Sequence, residues 1–359
     1  MKYFIGLDVS KATTAVCILD QIGNVVREHE LMTDPDHIAG FLEGCNYEID
    51  SIALETGSMT HALCEGLMDH GYKVKPLDAR QVSAFLKAKT HKNDRNDARI
   101  IADLCRIGNL QPVHHKSQKA LEIKTVLKAR KQLVSTLGDI KNTTRGLLKH
   151  HGLKLSGSTR GLDAFISAVR EAITDVRMPV KEAFEELLKA LESIKERISK
   201  MEKLVNDLDK AHKEITDLLK SCDGIGTLTA LSFIAEIDDP NRFTEGRDVG
   251  AYIGCVPTLY ESGERSVRGR ISKTGPEQLR SLLFEASLVL LTRTKRWSHL
   301  KAWGMKIAKK KGMKKASIAV ARKLSIILWR MWKDGKPFHH SLKEAKELEM
   351  KAKNLKKAS

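Results

Sequence analysis

Apolar and β-branched residues recur in short runs over the first 110 positions, with turn-forming residues between them. The runs "YFIGLDV" (3–9), "TAVCILD" (14–20) and "NVVREHEL" (24–31) read as strands separated by "SKAT" and "QIGN", the latter two as a hairpin around Gly23 and Asn24. A helix is predicted from about Pro35 to Gly44. "SIALET" (51–56) has the compact apolar character of a buried strand. "ALCEGLMDHG" (62–71) reads as a helix closed by Gly71, "YKVKPLD" (72–78) as a fifth strand, and helices follow near 80–88 and 95–107. Three strands in series, then helix and strand in alternation, predict a mixed sheet covered by helices.

Beyond about residue 117 the period changes. Phe184, Leu191, Ile198, Val205, His212 and Leu219 repeat every seven residues, and Leu187, Ile194, Met201, Leu208 and Ile215 form a second series offset by three. This a/d seam, with Lys and Glu beside it, predicts a coiled coil through which copies of the chain assemble, as a homodimer or a dimer of dimers. "HHGLKLSGSTRGLD" (150–163) reads as the loop between two helical arms. After residue 220, "CDGIGTLTALSFIAEI" places Gly224-Ile225-Gly226 between apolar helical runs. That pattern fits a helix-hairpin-helix whose glycines admit a DNA phosphate, and equally a tight turn with a structural purpose. "YESGERSVRGRISKTG" (260–275) is predicted as a glycine- and arginine-rich loop, followed by the apolar helix "EQLRSLLFEASLVLLT" (277–292). The expected domains are 1–115 (α/β), 116–219 (helical), 220–340 (mainly α) and a basic tail, 341–359.

Charge sharpens this division. The formal net charge is +17, yet residues 1–57 hold ten acids against three Lys/Arg, while residues 305–359 hold seventeen Lys/Arg against four acids. A basic end of this strength suits a polyanion, nucleic acid first, although a solvated tail has the same composition. Trp297, Trp303, Trp329 and Trp332 are interleaved with the basic groups, as nucleic-acid contact or as helical core. No apolar run approaches the length of a membrane span, and the six cysteines include no CxxC pair, which fits a reducing cytoplasm.

The acids of the first segment recur at chemically useful places. Asp8 ends the first strand, Glu55 closes "SIALET", and Asp94 and Asp97 lie three apart at the start of a helical run, on one helix face. Each alone reads as a turn residue, cap or surface charge. Together, with strands one and four adjacent at the sheet centre, they predict four carboxylates at one spot, an arrangement that repels itself unless a cation such as Mg²⁺ intervenes.

These residues carry a resemblance. "GLDVSK", "ALETG" and "KNDRNDARIIA" resemble the motifs of the DEDD transposases of bacterial insertion sequences, the group that includes the Piv pilin-gene invertase. "CDGIGTLTALSFIAEIDDPNRF", "GAYIGCVP", "ESGERSVRGRISKTG" and "LRSLLFEAS" are similar, in order, to the C-terminal domain of the same family. The resemblance runs from residue 3 to about 335 and implies the following. The N-terminal domain would be RNase H-like, similar to the RuvC junction resolvase, in a bacterial cytoplasmic, nucleoid-associated enzyme. Asp8, Glu55, Asp94 and Asp97 would hold Mg²⁺ or Mn²⁺. Ser262 would be the nucleophile that links covalently to DNA; Glu261 fills the place where many members have a first serine, and Ser266 and Ser272 lie close by. Double-stranded donor and target DNA and a structured guide RNA would be the partners, with active sites that combine the carboxylates of one subunit with the serine of another. Arg265, Arg268, Arg270, Lys273 and Arg280, with Gly224 and Gly226, are the candidate nucleic-acid contacts. Two rival functions remain: a junction resolvase or nuclease that uses the carboxylates and water alone, and a non-catalytic nucleic-acid-binding protein. An actin-like ATPase fits poorly, because Val9 and Ser10 stand where its phosphate loop carries glycine.

Overall fold

The computed structural model describes residues 1–87, 93–157, 159–262 and 265–341, and the chain divides into two units, Met1–Lys116 and Ser117–Ser359. In the first unit the strand-like runs form β1 (Lys2–Val9), β2 (Thr13–Leu19) and β3 (Val25–Met32). Helix α1 (Pro35–Glu43) leads to β4 (Glu48–Glu55), α2 (Thr60–Asp69), β5 (Val74–Leu77), α3 (Ala79–Leu86) and α4 (Asp94–Ile107). The sheet order is β3-β2-β1-β4-β5, with β1 antiparallel to β2 and parallel to β4, and β4 parallel to β5. This five-stranded mixed sheet is the fold class the sequence implied.

Local chemistry explains the boundaries. The Asp20 carboxylate accepts hydrogen bonds from the N–H groups of Ile22 and Asn24, closing the turn in which Gly23 takes φ +95°. Gly71 ends the α2 region at φ +85°, a conformation that favours glycine.

Side chains alternate across β1 and β4. Ile5, Leu7, Ile52 and Leu54 pack with Ile38, Leu42, Leu63 and Leu67 of α1 and α2. Ala53 faces the other way, in a cluster with Ile100 and Ile101 of α4. By the same period Gly6 and Asp8, like Ala53 and Glu55, belong to the α4 face.

The second unit begins with α5 (Gln118–His150), α6 (Leu162–Ala172), α7 (Met178–Ala211), α8 (Lys213–Lys220) and α9 (Thr227–Ile237). The start of α5 (Ile123, Leu127) shares a core with Val205 near the end of α7, and the end of α5 (Leu148) with Phe184, Leu188 and Leu191 near its start. The two long helices are therefore antiparallel, tied also by the Arg130–Glu202 ion pair at 2.6 Å. The heptad seam is divided between two helices: α7 ends at Ala211, His212 caps it, and α8 begins at Lys213. Phe184, Leu191, Val205 and Leu219 of the seam are buried within the chain, while Ile194, Ile198 and Met201 are half-buried.

Helix α10 (Gly246–Tyr252) is followed by β6 (Pro257–Ser262) and β7 (Arg265–Ile271), then α11 (Glu277–Thr292), α12 (His299–Lys311) and α13 (Met313–Asp334). The segment expected as a loop is thus largely a hairpin, with Tyr260 opposite Val267 and Ser262 opposite Arg265. Leu259, Tyr260 and Val267 stand exposed on it. Trp329 is core: it is 3% exposed, and its Nε1–H donates to the Pro240 carbonyl at 2.7 Å. Trp332 packs on the same core, whereas Trp297 and Trp303 are exposed. Among the described residues no helix is long and apolar enough to cross a membrane.

Candidate active site

Parallel pairing brings the ends of β1 and β4 together. Leu7 pairs with Leu54 in the last registered step, so Asp8 and Glu55 are the next residue on each of two adjacent strands. Above them lies α4, and its closeness depends on Gly6. A Cβ at Gly6 would fall 2.1 Å from the Ala98 carbonyl oxygen and 2.3 Å from the Ala102 nitrogen, so only glycine lets the helix backbone rest on β1 here. Asn93 caps α4, its Oδ1 accepting from the Asn96 N–H at 2.7 Å, and this starts the helix so that both aspartates fall in its first turn. Asp97 is turned inward and is 6% exposed, whereas Asp94 is exposed.

Asp8, Glu55, Asp94 and Asp97 all line one cleft of about 380 Å³, together with Lys11 of the β1–β2 turn and Ser83 of α3. Four acids from three separate stretches of the sequence therefore line one cavity. Their hard oxygen donors suit Mg²⁺ or Mn²⁺ better than a softer ion. Among the described residues, however, no three such side chains are already drawn around one ion position. The donor chemistry fits a divalent cation, and closing around it requires the carboxylates to draw in. Burial pushes the thiols of Cys17 and Cys64 up to about 12, with the Glu28 charge adding to the effect at Cys17, so neither is a nucleophile at neutral pH.

In the second unit, Ser262 ends β6 at the tip of the β6–β7 hairpin. The side chains of Ser262, Arg265, Ser266 and Arg268 lie outside the described part, as do Gly263 and the basic tail from residue 342. Arg270 and Lys273 are exposed near the base of the hairpin. Lys273 takes φ +56°, its N–H donating to the Gly254 carbonyl at 3.2 Å. Arg280 has an internal role that its sequence context did not suggest. Its Nη1 donates to the carbonyls of Ile253 (2.8 Å) and Thr274 (3.1 Å), bracing the two segments that carry the hairpin. Gly224 is likewise accounted for inside the fold: at φ +87°, a Cβ there would meet the Ala286 carbonyl of α11 at 2.5 Å. A Cβ at Gly226 would meet nothing within 4 Å. Lys11, present in the "GLDVSK" motif, was assigned no role from sequence; its place in the short three-residue connection that follows the strand of Asp8 was the available signal.

The chain is similar to known proteins along most of its length. A DEDD transposase family model of the IS110 type, described as "Transposase", matches residues 5–152, and a second, described as "Transposase IS116/IS110/IS902 family", matches residues 216–302. The chain is 27% identical to the transposase for insertion sequence element IS1111A of Coxiella burnetii, over 91% of this chain and 88% of that one. It is 25% identical to the transposase for IS1328 of Yersinia enterocolitica, over 93% and 98%. It is 20% identical to the pilin gene-inverting protein of Moraxella lacunata, over 96% and 99%. A RuvC structure from Thermus thermophilus aligns with 31% of this chain and 99% of its own at 13% identity, with a TM-score of 0.24, so the fold stands on the strand order itself. With both family models matched in sequence order, the chain belongs to the IS116/IS110/IS902 family of DEDD transposases.

Proposed function

We propose that this transposase cuts and rejoins DNA in a divalent-metal-dependent reaction, with the carboxylate cleft as its metal-binding part and Ser262 as its nucleophile. The observation that carries the proposal is the meeting of Asp8, Glu55, Asp94 and Asp97 in one cleft at the C-terminal ends of parallel strands. Asp8, Glu55, Asp94 and Asp97 would hold the Mg²⁺ or Mn²⁺, which would supply charge neutralisation and Lewis-acid polarisation at a phosphate. Asp8 and Glu55, held on neighbouring strands, set the floor of the site, and buried Asp97 adds a third carboxylate from α4.

Ser262 Oγ forms a bond to phosphorus as one deoxyribose oxygen leaves, the serine proton passing to a base and a proton reaching the departing oxygen. Attack by the hydroxyl of another strand reverses the exchange, rebuilds a phosphodiester and frees the serine. One phosphate ester replaces another at each step, so no external energy source is needed. A serine needs activation to act in this way. The exposed Arg270 and Lys273 are suited to hold the substrate backbone close to the hairpin.

The net charge of +17 supports a nucleic-acid partner, and the family resemblance extends this to a guide RNA that pairs with donor and target DNA. Half-buried Ile194, Ile198 and Met201 on α7 support self-association along that helix.

The test uses the full chain with its element DNA and Mg²⁺ or Mn²⁺. Asp8→Asn is expected to lose strand cleavage, and Ser262→Ala to lose a denaturant-stable protein–DNA adduct. Undiminished cutting and joining by Ser262→Ala would assign the reaction to water, the resolvase-like alternative. Sequencing RNA that co-purifies with the protein tests the guide; recovery of no discrete species counts against it.

A further inference from the structure

The β1–β2 turn is fixed more firmly than a surface hairpin needs. The Ser10 N–H and Oγ both donate to the Thr13 carbonyl, at 3.0 and 2.6 Å, and the Thr13 N–H donates to Ser10 Oγ at 3.3 Å. From the start of the next connection, Thr33 Oγ1 donates to the Ser10 carbonyl at 3.0 Å and the Thr33 N–H to the Ala12 carbonyl at 3.0 Å. Lys11 is exposed at the tip of this turn and lines the cleft, the one cation to do so among the described residues.

A lysine on the wall of a cleft with four carboxylates is attracted to them by opposite charge. Yet Lys11 makes no ion pair among the described residues. The turn carries its positive charge on the wall of the cleft without spending it on an acid. Once cations neutralise the acids, that charge is available to an anion that enters the cleft.

We propose that Lys11 is a positioning residue that binds a DNA phosphate next to the one being cut. This rests on the reading of the cleft as the DNA-cutting site. An ammonium group with three rotatable donors suits a phosphate approached from one side, and such a contact sets the register of the strand without reading its sequence. The pinned turn keeps the ammonium near the end of β1, so strand and carboxylates are held in one frame.

The test is DNA binding by the full chain at fixed Ca²⁺ concentration, measured by fluorescence anisotropy over a range of NaCl concentrations. Lys11→Met and Lys11→Gln are each expected to lower the slope of log affinity against log salt by about 0.9, the value for one lost phosphate contact. Lys11→Arg is expected to restore it. Mn²⁺ affinity, measured by calorimetry without DNA, is expected to stay the same or tighten, because a nearby positive charge is removed. An unchanged salt slope in both neutral variants overturns the proposal. So does a weakening of Mn²⁺ affinity that parallels the loss of cleavage, since Lys11 would then be arranging the carboxylates. Asp8→Asn run beside them separates the two levels: cleavage that survives in Asp8→Asn refutes the reading of the cleft, whereas the salt slope reports on Lys11 alone.

Discussion

Gly6 on β1 and Ala98 on α4 are in backbone contact, with the Ala98 carbonyl oxygen 2.1 Å from where a Gly6 Cβ would stand. Asp8 lies two residues beyond Gly6 on the same face, and Asp97 immediately precedes Ala98, so this single contact sets the height of one acid above the other. Neither backbone segment yields easily, because β1 is central in the sheet and α4 is packed along its length. Gly6→Ala is expected to cost about 1–3 kcal/mol or more through overpacking. It should also depress DNA cleavage in whatever protein remains folded, because α4 must rise from the sheet. Thermal melting alongside a cleavage assay checks both; a variant with unchanged melting would show that the helix and strand are not in contact.

The two aspartates of α4 should not be equivalent. Asp97 is 6% exposed and lines the cleft from within the fold, while Asp94 is exposed at the first helical position. A ligand already aimed into the cleft contributes more than one that must be ordered on binding. Asp97→Asn is expected to lower metal-dependent cleavage by roughly 100-fold or more and Asp94→Asn by roughly 10-fold, on the scale of 10–100-fold for losing a group that supports a metal ligand. Rates measured over a Mn²⁺ titration check this. Equal losses would mean that both carboxylates are drawn in to the same degree.

Much of the first unit was legible because its strands have one face on each of two helical layers. Ile5, Leu7, Ile52 and Leu54 announce one layer by alternation, and the turn residues Asp20, Gly23 and Gly71 mark the ends. The gathering of the four acids followed from placing β1 beside β4. The hairpin β6–β7 was hidden for the opposite reason: Leu259, Tyr260 and Val267 are exposed, so burial imposed no alternation, and its glycines and arginines read as loop. The heptad seam was legible as a period but not as a partner, since α5, whose own apolar spacing is weaker, covers parts of it from within the chain. The internal contacts of Gly224 and Arg280 were not legible, because their partners, Ala286 and the carbonyls of Ile253 and Thr274, are distant in sequence.

The cleft wall formed by α3 should be sensitive to acid. Asp78 caps this helix, its Oδ1 accepting from the Arg80 N–H at 2.8 Å, and its Oδ2 pairs with Arg80 Nη2 at 2.8 Å. The Arg80 side-chain hydrogen bond, then the Arg80 N–H, outweighs the effect of burial and holds the Asp78 carboxyl below its usual value of 3.8. A group whose folded pKa is depressed stabilises the fold above its unfolded pKa. Its contribution is therefore complete above about pH 4 and is lost as pH falls through the lower folded value. Asp78→Ala is expected to cost about 1 kcal/mol at neutral pH, the usual value of an N-cap, and to flatten the acid limb of the stability curve. Denaturant melts between pH 2 and 6 check the sign; a wild-type curve that rises as pH falls through 4 would contradict it.

The hairpin between α8 and α9 offers a separation of structural from binding glycines. Gly224 sits at φ +87° with the Ala286 carbonyl 2.5 Å from its would-be Cβ, so Gly224→Ala combines backbone strain with a clash against α11. It is expected to destabilise the second unit by about 1–3 kcal/mol or more. Gly226, the N-cap of α9, has φ −102° and open space where a Cβ would go, so Gly226→Ala should leave melting within about 1 kcal/mol of wild type. That asymmetry makes Gly226 the informative position. If its N–H approaches a DNA phosphate, the added methyl group obstructs the approach, and DNA affinity falls with no loss of fold. Anisotropy measurements on the folded Gly226→Ala protein decide the matter, and wild-type affinity would leave the glycine pair with a structural purpose only, the turn that lets α9 pack against both α8 and α11.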